Sequence, residues 1–360
     1  MYRIDVFDSS GNKLSELTEF EKLSCAVQCN TPGILSFSAT GLQGDKLPNI
    51  LCPIELWRND PTYGIGWYRQ FSGWVVKWDR SLNGSTTYHD FTALGDEWLL
   101  SWRINNYYAN YTDRTVFSAK KAEYIAKTLV KYNITSNATT ANGRKRDGTN
   151  FPANVISVQT DAGTGNTLDF YCFGDNLLDS LQKLADIGGG DFALYKTGNY
   201  IWEFRWYNGQ LGSNKTNSVI LSYELGTLDN PEYKVDLSGE ATVAAIWGNG
   251  EESNRTYTTY LAGEYSVSYD REVFVNASGV DTTNGMVARA QTVLARNCTN
   301  RELSFDIVQM PSCRYKLHYD LGDLVSLKNP FTGTVGTVKI NKVVLEVDES
   351  GKEDIAVEVR

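Results

Sequence analysis

Through its first hundred residues the chain repeats one device: a short run with apolar residues at every second position, stopped by Gly, Asn, Pro or Ser. A period of two sets side chains on alternating faces of a strand, whereas a helix needs a period near 3.6. Tyr2, Ile4 and Val6 alternate, and Ser9-Ser10-Gly11-Asn12 reads as the turn of a hairpin. Leu23, Cys25, Val27 and Cys29 alternate up to Asn30-Thr31-Pro32-Gly33, and Ile34–Phe37, Ile54–Arg58, Tyr68–Trp78 and Thr87–Leu94 continue the series. Within Gln70–Trp78, Phe71, Gly73, Val75 and Lys77 face one way and Trp74, Val76 and Trp78 the other. A strand apolar on both faces needs cover on both sides, which predicts a small antiparallel barrel or sandwich.

The pattern changes after residue 105. Ala122, Ile125, Ala126, Leu129 and Val130 form a helical stripe over Ala119–Tyr132, with Ser118 placed to cap it. A polar stretch, Thr135–Asn150, reads as a loop, and Val155–Val158 as a strand. A second helix over Asn176–Ile187 carries Leu177, Leu178, Leu181, Leu184 and Ala185 on one face, with Asp175 as its cap and Gly188-Gly189-Gly190 as its stop. Strands over Asp191–Lys196 and Tyr200–Trp206 follow, joined by Thr197-Gly198-Asn199. Further strands are expected at Val219–Ser222, Glu240–Trp247, Tyr257–Leu261 and Tyr265–Tyr269, and a helix over residues 283–297. Leu303–Gln309, Leu324–Lys328, Gly333–Asn341, Lys342–Val347 and Asp354–Val359 close the series. The expected fold class is α+β, mainly β, in the order β, then α/β, then β with one helix. The boundaries read as 1–105 (barrel-like), 106–230 (α+β) and 231–360 (β-rich with one helix, 283–297).

Composition narrows the function. With 34 Lys and Arg against 43 Asp and Glu, the net charge of −9 argues against stable nucleic-acid binding, which relies on cations displacing the counterions of phosphates. The same acidic excess also serves plain solubility. No apolar run reaches the roughly 18 residues of a membrane helix, and Asp5 and Asp8 stand where a signal peptide would be apolar, so no membrane anchor and synthesis in the cytoplasm are expected. The six cysteines (25, 29, 52, 172, 298 and 313) lack zinc spacing and read as buried thiols.

Catalytic, cofactor-binding and metal-binding residues are all predicted to be absent. Gly163-Thr164-Gly165 lacks the third glycine of a nucleotide loop and the helix that should follow it. Glu203, Asp186 and Asp191 could be assembled into a glycosidase carboxylate pair, but 43 acidic residues make such a trio easy to find by chance. His89 and His318 stand alone, and Arg144-Lys145-Arg146 reads as a solvated loop tip. The aromatic groups Tyr107-Tyr108-Tyr111 and Trp202-Phe204-Trp206 suit either packing between domains or stacking on sugars.

Four stretches, taken in order, resemble one family. They are Cys29–Phe37; Ile54–Arg58 with Phe71–Val75; the helix Asp175–Ile187 with its glycine stop and hairpin; and Tyr319-Asp320-Leu321-Gly322-Asp323-Leu324-Val325. Together they are similar to tail-hub (baseplate-hub) proteins of tailed phages, including the N-terminal part of prophage endopeptidase-tail proteins. Gly33 and Gly73 would allow close backbone approach, and Gly322-Asp323 would turn the chain into the last sheet. The resemblance implies two small antiparallel β-barrel-like domains with α/β inserted, residues 231–360 sharing strands with the earlier domains, and a non-enzymatic homotrimer in the virion tail tip. Its ring would join the sixfold tail tube and distal tail protein to a threefold fibre or spike, meet the end of the tape-measure protein and surround the DNA path. The competing expectation is a carbohydrate-binding or adhesin module on a virion or cell surface, resting on the aromatic groups.

Overall fold

The computed structural model describes residues 1–47, 51–108, 114–250, 254–278, 280 and 282–360. The chain is mainly β. Its first seven strands are β1 (Tyr2–Phe7), β2 (Lys13–Leu17), β3 (Lys22–Gln28), β4 (Thr31–Thr40), β5 (Pro53–Asp60), β6 (Ile65–Asn83) and β7 (Thr86–Gly95), with a single helical turn, α1 (Gly41–Gly44), after β4. All their neighbour pairings are antiparallel, in the order β3-β4-β7-β6-β5-β1-β2. Their inward side chains, among them Ile4, Leu35, Phe37, Ile54, Phe71, Val75 and Phe91, make one core. Phe37 and Phe91 stack with ring centroids 5.0 Å apart. Each such side chain contributes roughly 1.5–3 kcal/mol by leaving water.

An α/β layer follows. Strand β8 (Thr115–Lys121) runs straight into α2 (Ala122–Ile134); β9 (Ile156–Val158) and β10 (Thr167–Cys172) precede α3 (Leu177–Gly188); β11 (Gly190–Gly198) and β12 (Ile201–Asn208) form a hairpin. Trp202, Phe204 and Trp206 of β12 are buried under α2 and α3. Trp74, from β6 of the first sheet, reaches into this core and stands 6.0 Å from Trp202 and 5.5 Å from Phe151. One strand thus serves two cores, and a register shift between Val75 and Lys77 returns Trp78 to the first core with Phe71 and Val75, not to the side of Trp74 as the alternation predicted.

The remaining strands are β13 (Ile220–Leu221), β14 (Leu228–Asp236), β15 (Val243–Trp247), β16 (Tyr257–Leu261), β17 (Glu272–Asn276), β18 (Asn300–Ile307), β19 (Leu324–Lys328), β20 (Val335–Val347) and β21 (Glu353–Val359). Helix α4 (Thr283–Arg296) packs on the small sheet β16-β15-β17. Strand β20 is the join of the molecule. It pairs with β3 from Leu23 to Gln28 and with β21 on its other side, so the first and last parts of the chain form one 13-stranded sheet. Leu345 of β20 belongs to the first core, and Ile340 and Val343 to a second, built with Tyr315, Tyr319, Val325, Leu327 and Val357. Among the described residues the hydrogen-bonded ladder runs as an open path from β14 to β2.

Several local expectations need correction. Ser118 lies within β8 and caps nothing; the strand continues to Lys121, and α2 begins three residues later than expected. The cap of α3 is Asn176, whose side chain accepts from the Leu178 amide, while Asp175 accepts from the Phe173 amide. The hairpin between β11 and β12 turns at Asn199-Tyr200, where Tyr200 adopts φ +61°. Tyr265–Tyr269 is a turn closed by a single bridge between Ser266 and Tyr269. Gly333–Asn341 and Lys342–Val347 merge into β20, its register shifting between Ile340 and Lys342. The glycine roles hold where the backbone is closest. A Cβ on Gly73 would stand 2.2 Å from the Leu94 carbonyl oxygen, one on Gly33 2.9 Å from the Ala26 carbonyl, and Gly322 has φ +82°.

Candidate functional site

Buried charges gather where the first sheet meets the α/β layer and the last strands. The glycine stop of α3 ends with Gly189 at φ +69° and releases the chain into β11, whose second residue, Asp191, is 1% exposed. Its carboxylate accepts from Lys339 Nζ of β20 at 2.8 and 3.0 Å, from Asn30 Nδ2 at 2.8 Å and from the Leu211 amide at 2.8 Å. Asn30, at φ +60° between β3 and β4, also accepts from the Phe192 amide at 2.7 Å, and its carbonyl accepts from Gln182 of α3 at 3.1 Å. Four parts of the chain are held at this one carboxylate.

Two further knots lie along the same seam. Lys196 of β11 meets Glu55 of β5 at 2.7 Å, both nearly buried, with Arg69 of β6 3.2 Å from the same carboxylate. Arg58, 2% exposed, donates to both Glu353 oxygens and to the Tyr68 and Tyr2 hydroxyls. Close by, Arg314 pairs with Asp60 and stacks 3.4 Å from the Tyr63 ring centroid. A buried charge survives only when paired and hydrogen-bonded, so these knots fix the mutual position of layers that apolar contact alone would let slide.

The sequence candidates for chemistry are dispersed. Glu203 pairs with Arg205, Asp186 with Arg360 and Asp191 with Lys339, so each carboxylate of the supposed trio is held by its own cation. The loop at Gly163–Gly165 turns its amides on the chain itself. Glu123 of α2 accepts from the Ala162 amide (3.1 Å), the Thr164 amide and hydroxyl (both 2.7 Å) and Lys127 Nζ (2.6 Å). Burial pushes that carboxyl up, but the donors outweigh it and hold it down to about 2. His89 is buried in a stack with Trp78 and Phe91, its Nδ1 accepting from Trp78 Nε1 at 3.2 Å, and burial lowers its pKa. The His318 Nδ1 accepts from the Arg314 amide.

Arg144 corrects the reading of its basic cluster as a solvated tip: it is buried, bridged to Tyr107, and donates to the Arg146 carbonyl, while Lys145 and Arg146 are exposed. Five cysteines are buried, and Cys298 is exposed. Tyr107 stacks on Tyr132 at 4.5 Å and Tyr108 lies under Lys145, while Tyr111 falls outside the described residues. Since Trp202, Phe204 and Trp206 are core, they form no sugar platform. Among the described residues no cluster of three metal-ligating side chains exists, and no helix is long and apolar enough to cross a membrane. What the sequence did not reveal is the pairing of Asn30, Asp191 and Lys339, which lie up to some 300 residues apart; the only local signal was Asn30 itself, at a turn.

This arrangement of sheets and α/β layers is the fold of phage tail proteins. The 43 kDa tail protein of prophage MuSo2 from Shewanella oneidensis matches with TM-score 0.62 and 13% identity, over 100% of this chain and 98% of that one. The tail protein from Neisseria meningitidis MC58 matches with TM-score 0.55 and 8% identity over 99% and 96% of the two chains. Prophage tail protein gp18 from Listeria monocytogenes EGD-e matches with TM-score 0.53 and 11% identity over 99% and 93%. No curated protein matches by sequence. The chain belongs to the siphovirus ReqiPepy6 Gp37-like protein family, whose model matches residues 69–359. It is a bacteriophage tail protein, as the four ordered stretches implied.

Proposed function

We propose that the chain is the structural hub of a tail tip, three copies closing a ring between the sixfold tail tube with its distal tail protein and a threefold fibre or spike. The observation that supports this reading is the pair of β cores carried on one continuous sheet and coupled by β20. A subunit with two barrel-like halves presents six in a trimer, which is how a threefold assembly can meet a sixfold one. In this reading residues 1–105 supply one half, 231–360 most of the other, and 106–230 the α/β layer outside them. The end of the tape-measure protein meets the ring, DNA passes through its lumen, and the net charge of −9 keeps the wall from holding phosphates. No catalytic step is assigned.

The test is the native mass of the purified chain by light scattering, with the same peak imaged in negative stain. Three copies of 40.2 kDa give about 120 kDa and a ring with a central opening. A compact monomer that binds a surface glycan saturably would overturn the hub reading in favour of the adhesin.

A further inference from the structure

The chain contains five Asn-Gly pairs, at residues 83–84, 142–143, 208–209, 249–250 and 284–285. In such a pair the backbone nitrogen after the asparagine can approach the side-chain amide carbon closely, because glycine has no Cβ to screen it. The fold treats the five differently, and four are held. The Gly143 amide donates to the Thr140 carbonyl at 3.1 Å, and Asn142 Nδ2 donates to the Asn137 carbonyl at 2.9 Å. The Gly209 amide donates to the Gly189 carbonyl at 2.9 Å, and Asn208 Oδ1 accepts from the Gly165 amide at 3.2 Å. Gly285 lies in the first turn of α4 and donates to the Thr282 hydroxyl at 3.1 Å. The Asn249 carbonyl accepts from the Thr256 amide at 2.8 Å, and a Cβ on Gly250 would stand 2.3 Å from the Asn254 carbonyl oxygen. Asn83-Gly84 is free. Strands β6 and β7 project beyond the first core as a two-stranded arm, and residues 79–86 at its end are all exposed. Asn83 pairs with Thr86, so Gly84 and Ser85 form a two-residue loop, with Gly84 at φ +62° in the first place as a type II′ turn requires. Among the described residues neither the Asn83 side chain nor the Gly84 amide has a hydrogen-bond partner, and the space where a Gly84 Cβ would stand is open.

We propose that Asn83-Gly84 is a self-modification site, at which the asparagine converts to aspartate and isoaspartate ahead of the other four pairs. The Gly84 nitrogen, deprotonated by hydroxide, attacks Asn83 Cγ. A C–N bond forms, the bond from Cγ to Nδ2 breaks, and Nδ2 leaves as ammonia after taking a proton from water. The product is a five-membered succinimide. Water then opens the ring at Cγ, giving aspartate in an unchanged backbone, or at the Asn83 main-chain carbonyl, giving isoaspartate, whose backbone runs through Cβ. The attack needs the last pair of the arm to open and Asn83 to rotate out of its extended conformation. A hairpin end with no layer packed on either face opens at low cost. Each product places a carboxylate beside Leu82, which is 71% exposed, and isoaspartate also lengthens the backbone at the pair with Thr86. The end of the arm thus gains charge and, in the second product, changes shape.

The experiment is incubation of the full chain in warm, mildly alkaline buffer, with timed samples digested by trypsin and mapped by mass spectrometry. The five pairs fall in five different tryptic peptides, since a Lys or Arg separates each from the next. Exchange of amide for acid, with isoaspartate read by enzymatic carboxyl methylation, is expected at Asn83 about fivefold or more faster than at any other pair, because each of those must first lose a contact that holds it. In urea the five rates should draw together, since the selectivity belongs to the fold. The Asn83→Gln variant should show no early exchange in that peptide. Faster exchange at another pair, equal rates at all five in the folded chain, or an Asn83 peptide still unchanged when the urea sample has reacted fully would overturn the proposal. None of these outcomes depends on ring formation.

Discussion

Asp191→Ala removes the carboxylate that Lys339, Asn30 and the Leu211 amide share, and the structure sets the size of the loss. Asp191 is 1% exposed and the Lys339 side chain 17%, so water replaces little of what is removed. Taking one partner from a buried ion pair costs about 3–5 kcal/mol because the other charge stays behind. The stranded Asn30 amide and Leu211 N–H add to this, partly offset by relaxation of the Lys339 side chain toward solvent. A loss of about 4 kcal/mol is therefore expected in urea unfolding followed by tryptophan fluorescence. Trp202 and Trp206 lie in the core that begins beside Asp191 and report its loosening. The double variant with Lys339→Met should recover about 2 kcal/mol, since it removes the unpaired cation. An Asp191→Ala chain within 1 kcal/mol of wild type would refute the argument that this carboxylate braces four segments.

Two further predictions concern pH. Glu123 titrates in the folded chain near 2 against an ordinary 4.5. Its contribution of about 3 kcal/mol is present above about pH 5 and disappears as pH falls through the folded value. Glu123→Gln should thus cost about 3 kcal/mol at pH 7 and little near pH 2, as read from urea midpoints; a cost unchanged across that range would contradict it. Burial lowers the pKa of His89 in the folded chain, so stability should fall as the unfolded chain begins to protonate below about pH 6.5. The slope of Tm against pH from about 7.5 to 5 should be shallower in His89→Phe, and an unchanged slope would mean that His89 is not the group responsible.

Elements with a single buried face were legible in the sequence because their periodicity states the answer. The Leu177, Leu181 and Leu184 stripe of α3 and the alternation of β3 are examples. Caps slipped by a residue or more where two capping residues stand together, as at Asp175-Asn176, or where a polar run such as Ser118–Lys121 completes a strand instead of opening a helix. Strands β8 and β14 were missed because much of their pattern is polar, whereas β10 and β17 were missed although Leu168, Phe170 and Cys172, and Val273 and Val275, alternate. The pairing of β3 with β20, across more than 300 residues, leaves no trace in local pattern; only the family resemblance implied that the last region shares strands with the earlier domains. The glycine loop looked wrong for phosphate, but only the structure shows Glu123 already occupying its amides, and only it shows the tryptophans of β12 to be core.

The proposed place of this chain is a threefold ring beneath the tail tube. A cryo-electron reconstruction of the tail tip of the phage that encodes it tests this most directly. Three copies around a continuous channel are expected, their two β cores alternating to face six subunits of the ring above. One copy, or copies attached outside the tail wall with no channel between them, would contradict it.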